Sequence, residues 1–201
     1  MKICLVPYPV LVESSSPDTP NQLDLQIPLG LLTIASLLEK AGHEITIFDP
    51  VVESETAFDK IDLPDPQYVA DLIKAKTPEL VGFSTMFSTY PITLEWAKYY
   101  HESSPQTPIL LGGPQATDTD EQTLRAFPWI SMVLRGEVEN SIVSLVDCLQ
   151  HRGDLNSIGG LSWRSGSQVV RNPDAPIVTE IDTIPMPAFN LYPVEKIVQI
   201  F

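Results

Sequence analysis

The sequence predicts an α/β protein: a doubly wound parallel sheet of five strands, extended at its C-terminal side by a β-hairpin. Three observations lead there. Short apolar runs rich in β-branched residues recur along the chain, segments with apolar residues at helical spacing lie between them, and glycine or proline marks the junctions. The strand runs are Ile3 to Val6, Ile45 to Phe48, Leu80 to Phe83, Ile109 to Leu111 and Met132 to Leu134. Each is continuous rather than alternating, which marks strands covered by helices on both faces.

The first helix is expected from Gly30 to Lys40, where Leu31, Ile34, Ala35 and Leu38 share one face, and it stops at Gly42, a residue suited to a left-handed cap. Further helices are expected over Gln67 to Lys76, Ile92 to Tyr100, Thr119 to Ala126 and Glu139 to Gln150, with Pro78 and Pro108 turning the chain into the next strand. Crossovers between parallel strands are right-handed, so five such units make an open sheet of order 2-1-3-4-5, flavodoxin-like or Rossmann-like. Ser165-Gly166-Ser167 is the turn expected for the hairpin that follows.

Composition narrows the function. The chain has 201 residues, 43% hydrophobic and 19% charged, enough for one core with extras. Twelve Lys plus Arg against 26 Asp plus Glu give a net charge of −14, which excludes nucleic acid and anionic lipid as partners. The apolar stretches are short and Met1-Lys2-Ile3-Cys4 runs straight into a strand, so no membrane segment or signal peptide is expected and the protein reads as cytoplasmic. Cys4 and Cys148 are expected to be buried thiols, and His43, His101 and His151 to be solvated surface residues.

Ligands of doubly wound sheets bind beyond the carboxyl ends of the strands, near the point where strand order reverses. The loops in question are Pro7 to Pro28, Ser84 to Pro91, Gly112 to Asp118 and Arg135 to Asn140. The first is unusually long, with Ser14-Ser15-Ser16, Pro17 and Pro20, and is either functional or a floppy insertion. In the second, Ser84 and Thr85 offer hydroxyls for a ligand or for a helix cap. The pair Gly112-Gly113 in the third lets backbone come close to a ligand or take positive φ. Glu137 and Glu139 in the fourth also suit a plain helix start. A dinucleotide fingerprint is absent after the first strand, where Val6-Pro7-Tyr8-Pro9 has no glycine, and the acidic residues of a phosphoacceptor domain are absent too.

Five segments carry a resemblance: Ile27-Pro28-Leu29-Gly30-Leu31-Leu32, Ala41-Gly42-His43-Glu44, Val81-Gly82-Phe83-Ser84, Leu111 to Thr117 and Leu134-Arg135-Gly136-Glu137-Val138-Glu139. Together they resemble the cobalamin-binding domain of cobalamin-dependent radical S-adenosylmethionine proteins, over about residues 1–150. Gly159 to Pro173 is similar to that family's β-hairpin (residues 151–180), and Ile181 to Phe189 to its proline-rich linker toward a catalytic barrel (residues 181–201).

The resemblance implies a corrin ring over the strand ends with its nucleotide tail in the sheet crevice. Ser84 and Thr85 would then line the tail pocket, Gly112 and Gly113 admit it, and Pro114, Gln115 and Thr117 border the ring. Met86 supplies an apolar platform, and Arg135, Gly136 and Glu137 complete the expected set. A side chain at Gly113 is expected to occupy the volume of the tail while leaving the fold intact. Two departures stand out. No histidine precedes Glu39, so the D-x-H-x-x-G ligand of other cobalamin domains is missing, and Val138 stands where the family has glycine.

No catalytic or metal-ligating set is expected here. Radical chemistry needs a C-x3-C-x2-C triad, which two cysteines cannot form, so the iron–sulfur cluster and S-adenosylmethionine belong to a downstream barrel in the same polypeptide. The reading is therefore a cobalamin-binding module, the alternative being a cofactor-free structural or docking domain of the same fold. The segment 183–201, apolar but rich in proline, is expected to be mobile or to bury itself against a neighbouring copy.

Overall fold

The computed structural model describes residues 1–12, 22–24, 26–53 and 63–195. The serine and proline run of the first loop and the last six residues of the tail lie outside these. The strands of the main sheet are β1 (Lys2–Val6), β4 (Glu44–Ile47), β5 (Leu80–Ser84), β6 (Ile109–Gly112), β7 (Met132–Leu134), β8 (Leu161–Ser165) and β9 (Gln168–Arg171). Their spatial order is β4-β1-β5-β6-β7-β8-β9, with the first five parallel and the hairpin β8–β9 added antiparallel along β7. The expected 2-1-3-4-5 order is thus present, and the hairpin continues the same sheet. A small antiparallel pair, β2 (Val10–Val12) and β3 (Gln22–Asp24), sits in the first loop and was not legible in the sequence.

Two cores follow from two-sided burial. On one face α1 (Leu29–Lys40) buries Leu32, Ala35 and Leu38, and α7 (Ile142–His151) buries Ile142, Leu145 and Val146, against Ile3, Leu5, Leu110 and Leu134. On the other, α3 (Pro66–Ala75), α4 (Tyr90–Ser103) and α6 (Asp120–Ala126) cover Cys4, Val6, Val81, Phe83 and Val133. The alternation along β1 between Leu5 and Val6 distributes one strand between both cores. Gly42 ends α1 with φ +87, and its amide donates to the Glu39 carbonyl. Asp65 starts α3 by accepting from the Tyr68 amide, with Pro66 in the first helical position.

Several boundaries differ from expectation. Pro114 opens a separate short helix, α5 (Pro114–Asp118), and α7 begins at Ile142, so Glu137 and Glu139 lie in the loop before it rather than at its start. A one-turn helix, α2 (Pro50–Glu53), follows β4. Cys4 is buried as expected, and burial pushes its thiol up to about 12, which leaves it unreactive. Cys148 is only half-buried.

His43 corrects the surface assignment. It is 8% exposed, held between the Met1 amino group, 3.3 Å from Nδ1, and Asp147, 3.6 Å from Nε2 and too far for a hydrogen bond. Strand pairing of β1 with β4 forces this position, because Glu44, the next residue, already pairs with Lys2.

The tail is the second correction. Pro185, Ala188 and Tyr192 are buried, the Ala188 amide donates to the Leu32 carbonyl, and the Tyr192 hydroxyl donates to Asp49 Oδ2 at 2.6 Å. Asp49 Oδ1 meanwhile accepts from the Val51 and Val52 amides, so this half-buried carboxylate has both oxygens occupied. The segment up to residue 195 is packed within its own domain, because its few apolar side chains enter the α1 core without needing one of their own.

Tyr192→Phe is expected to cost about 1–3 kcal/mol, since it strands a half-buried carboxylate oxygen. Hydrogen exchange checks it: the Ala188 and Leu191 amides should be protected independently of protein concentration in the parent and lose that protection in the variant.

Burial, and then the positive N-terminus, hold the His43 pKa below its usual 6.5, against the opposing pull of Asp147. The unfolded chain therefore binds the additional proton, so this contribution to stability is complete above pH 6.5 and lost as pH falls below it. Melting temperatures at about pH 7.5 and about pH 5.5 should differ less in His43→Gln than in the parent.

Candidate functional site

The strand order reverses between β1 and β5, and a cavity of about 380 Å³ opens there at the carboxyl ends of the strands. Its floor comes from residues of β5 and β6 that point to the α1 side. Leu5, Gly82 and Leu110 stand in register across three strands, and one pleat further on Ser84 stands opposite Gly112. Ser84 and Gly112 are small and leave the floor low in their row, whereas Gly82 admits the Leu5 side chain, whose Cδ2 would lie 2.8 Å from a Cβ there. The sides are Pro7 and Tyr8 after β1, Ile27 to Leu31 at the start of α1, and Gly136 to Glu139 before α7.

Two threonines lock the loops around this space. Thr85 is fully buried. Its amide and its hydroxyl both donate to the Gly112 carbonyl, and the hydroxyl accepts from the Ala116 amide at 3.0 Å. Thr117 Oγ1 accepts from the Gly136 amide at 3.0 Å, tying the loop after β7 to α5. Neither side chain belongs to the cavity wall.

Gly113 has φ +96 and ψ 174, a conformation nearly exclusive to glycine, and a Cβ there would lie 2.5 Å from the Thr85 carbonyl oxygen. The glycine is needed for backbone geometry and the close approach of two loops. The expectation that a side chain at Gly113 would fill the ligand volume and spare the fold is therefore overturned. Gly30 is the opposite case: it lines the cavity, and a Cβ there meets nothing within 4 Å.

Arg135 is also displaced from its expected role. Its guanidinium is buried beneath the hairpin, where it donates to Ser162 Oγ, to the Asn172 carbonyl at 2.7 Å and to Asp174 Oδ1 at 2.8 Å. Asp120 Oδ2 lies 3.3 Å away and also accepts from Ser162 and Arg171. Burial alone would raise the Asp120 pKa, but the Ser162 hydroxyl, the Glu121 amide and the two arginines hold it below the usual carboxylate range. This network staples β8 and β9 to the sheet and fixes the backbone that leads into Gly136.

Of the residues expected at the site, the structure gathers Ser84, Gly112, Gly113, Pro114, Gly136 and Glu137 around the cavity, and leaves Thr85, Met86, Gln115, Thr117 and Arg135 outside its wall. Met86 leads into the turn Phe87–Thr89, and Gln115 bonds Thr119. Sequence reasoning missed the start of α1 and Glu139. The signal for α1 was present in Ile27-Pro28-Leu29-Gly30, a helix start placed by topology at the carboxyl end of β1.

The wall is mainly apolar, and its hydroxyl-bearing residues are Tyr8 and Ser84. Among its described residues none is Lys, Arg or His, so none of them offers a cationic side chain to a ligand or an imidazole to a metal. No cluster of His, Cys, Asp or Glu suited to a metal ion exists among the described residues, and no described helix is long and apolar enough to cross a membrane.

Comparison with known proteins agrees with this geometry. The family model for the B12 binding domain matches residues 24–146. An uncharacterized methyltransferase, PH0819, of Pyrococcus horikoshii is 33% identical over 173 residues, covering 84% of this chain and 35% of that protein. The anaerobic magnesium-protoporphyrin IX monomethyl ester cyclase of Synechocystis is 29% identical over 161 residues, covering 77% and 30%. The chain thus spans about a third of the length of these relatives. Among solved structures, the cobalamin-dependent S-adenosylmethionine radical enzyme OxsB with aqua-cobalamin and S-adenosylmethionine bound superposes with a TM-score of 0.73 at 17% identity, over 99% of this chain and 25% of that one. The radical S-adenosylmethionine methyltransferase TsrM from Kitasatospora setae, with cobalamin and [4Fe-4S] cluster bound, gives 0.65 at 17% identity, covering 92% of this chain and 31% of that one.

Gly113→Val is expected to lower stability by about 3 kcal/mol or more through its backbone conformation and the clash with Thr85. Gly30→Leu should cost nothing or stabilise α1, since a helical glycine is replaced by a strong helix former. Urea unfolding of the two variants beside the parent checks both.

Proposed function

The chain belongs to the B12 binding domain family, and from that premise we propose that it carries cobalamin in the cavity between α1 and α7 as the cofactor module of a cobalamin-dependent radical S-adenosylmethionine enzyme. The observation that carries the reading is the low floor of Ser84 and Gly112 beneath a mainly apolar cavity at the switch point. Cobalamin is broad, largely neutral and edged with amides, so it asks for apolar walls, backbone groups and a few hydroxyls rather than for cations. The cavity matches that request.

A volume of about 380 Å³ suits one arm of the cofactor, not the whole. The nucleotide tail would therefore enter the crevice over Ser84 and Gly112, with the corrin at the mouth beside Tyr8, Leu29 and Pro114. Cobalt, when bound, supplies the ability to take up and release a methyl group or an electron. The protein's own part is to bind the tail, to orient the ring with rigid loop backbones, and to exclude water with Pro28, Leu29 and Leu31. No histidine borders the cavity among the described residues, so none of them would offer an imidazole to the cofactor.

The radical chemistry itself belongs in this reading to a barrel downstream in the same polypeptide, where the cluster and S-adenosylmethionine would be held, in a cytoplasmic protein. The relatives support this, since this chain matches only about a third of each. Ile177, Ile181 and Met186, exposed apolar residues after the hairpin, would face that barrel.

Titration of the chain with hydroxocobalamin, followed by visible absorption, is expected to show saturable binding with the spectrum of a displaced lower base. Gly30→Phe should keep the fold and weaken binding about tenfold or more, because the ring fills the mouth of the cavity. An unchanged cobalamin spectrum with the parent protein would favour the cofactor-free docking domain.

A further inference from the structure

Glu139 follows the expected site residues by two positions, yet its environment differs from that of every other polar residue of the cavity. It lines the wall at the loop before α7, and its Oε2 is enclosed without any hydrogen-bond partner. Glu137, the other acid of the wall, is exposed and accepts from the Val178 amide at 3.3 Å across the loop. The nearby guanidinium of Arg135 is committed to Asp120, Ser162, Asn172 and Asp174 beneath the hairpin. Glu139, half-buried as a residue, thus holds one enclosed acceptor oxygen in a mainly apolar wall, on a loop that Thr117 and Asn140 pin on either side through Gly136 and the Pro176 carbonyl.

A buried acceptor with no donor is costly to keep, and a protein keeps it where a ligand supplies the donor. We infer that Glu139 is a specificity-determining residue of the cavity, accepting a hydrogen bond from a neutral donor group of the bound cofactor. This rests on the cobalamin reading above. Two groups of cobalamin have that chemistry, the primary amides around the corrin and the ribose hydroxyl of the nucleotide tail.

The test uses Glu139→Leu and Glu139→Gln with two ligands, hydroxocobalamin and cobinamide, which keeps the amides but lacks the ribose and its base. Glu139→Leu removes the stranded acceptor from an apolar wall, so its melting temperature should stay level or rise while cobalamin affinity falls about ten- to a hundredfold. Glu139→Gln keeps an acceptor oxygen and should recover most of that loss. A role confined to folding would move stability and affinity in the same direction, and the expected result moves them apart. Loss with both ligands assigns the donor to the corrin amides, and loss with cobalamin alone assigns it to the ribose; both support the inference. Unchanged affinity of Glu139→Leu for both ligands, beside a parent protein that binds, overturns it while leaving the cofactor assignment standing. A parent protein that binds neither ligand overturns both.

Discussion

From β1 the chain runs to β4 on one side and then returns past β1 to β5 on the other. Because each crossover must be right-handed, the helices making these two connections lie on opposite faces, and none of them can cover the carboxyl ends of β1 and β5 together. A gap at that point is imposed by topology. Side-chain size decides what becomes of it. With leucine at positions 84 and 112 the gap would close into core. With Ser84 and Gly112 it stays open, and its walls fall to whichever helix ends are nearest, those of α1 and α7.

Keeping a cavity open needs rigid edges, and most polar groups around the site serve that end. Thr85 spends all of its bonding capacity on β6 and α5, Thr117 holds Gly136, and Arg135 with Asp120 binds the hairpin to β7. The ligand is left a surface of backbone, hydroxyl and apolar atoms already set in place, which lowers the ordering cost of binding. A net charge of −14 is compatible with a ligand edged mainly by neutral amides.

The strands, their order and the helices on both faces were legible because each rests on local periodicity and a handedness rule. The family was legible from five short segments in order. What the sequence concealed depends on contacts between distant residues. Gly112-Gly113 was found, but the reason for Gly113 lies in its approach to Thr85, and only the fold brings those two backbones together. Arg135 has the same history, with partners 15 to 39 positions away. His43 follows a helix-ending glycine, an ordinary surface context, and is buried only because β4 pairs with β1 at its very end. The tail misled through composition: its prolines exclude a helix, but one tyrosine and one alanine are enough to dock it.

The union of Tyr192 with Asp49 joins positions 143 residues apart. During synthesis all seven strands of the main sheet leave the ribosome before Tyr192 does, so the sheet can assemble while Asp49 still lacks its phenol and the α1 core lacks its last two side chains. Closure of the domain can therefore follow assembly of the sheet. Until Tyr192 docks, a nascent chain leaves part of the α1 core uncovered and one oxygen of the half-buried Asp49 carboxyl without its phenol donor.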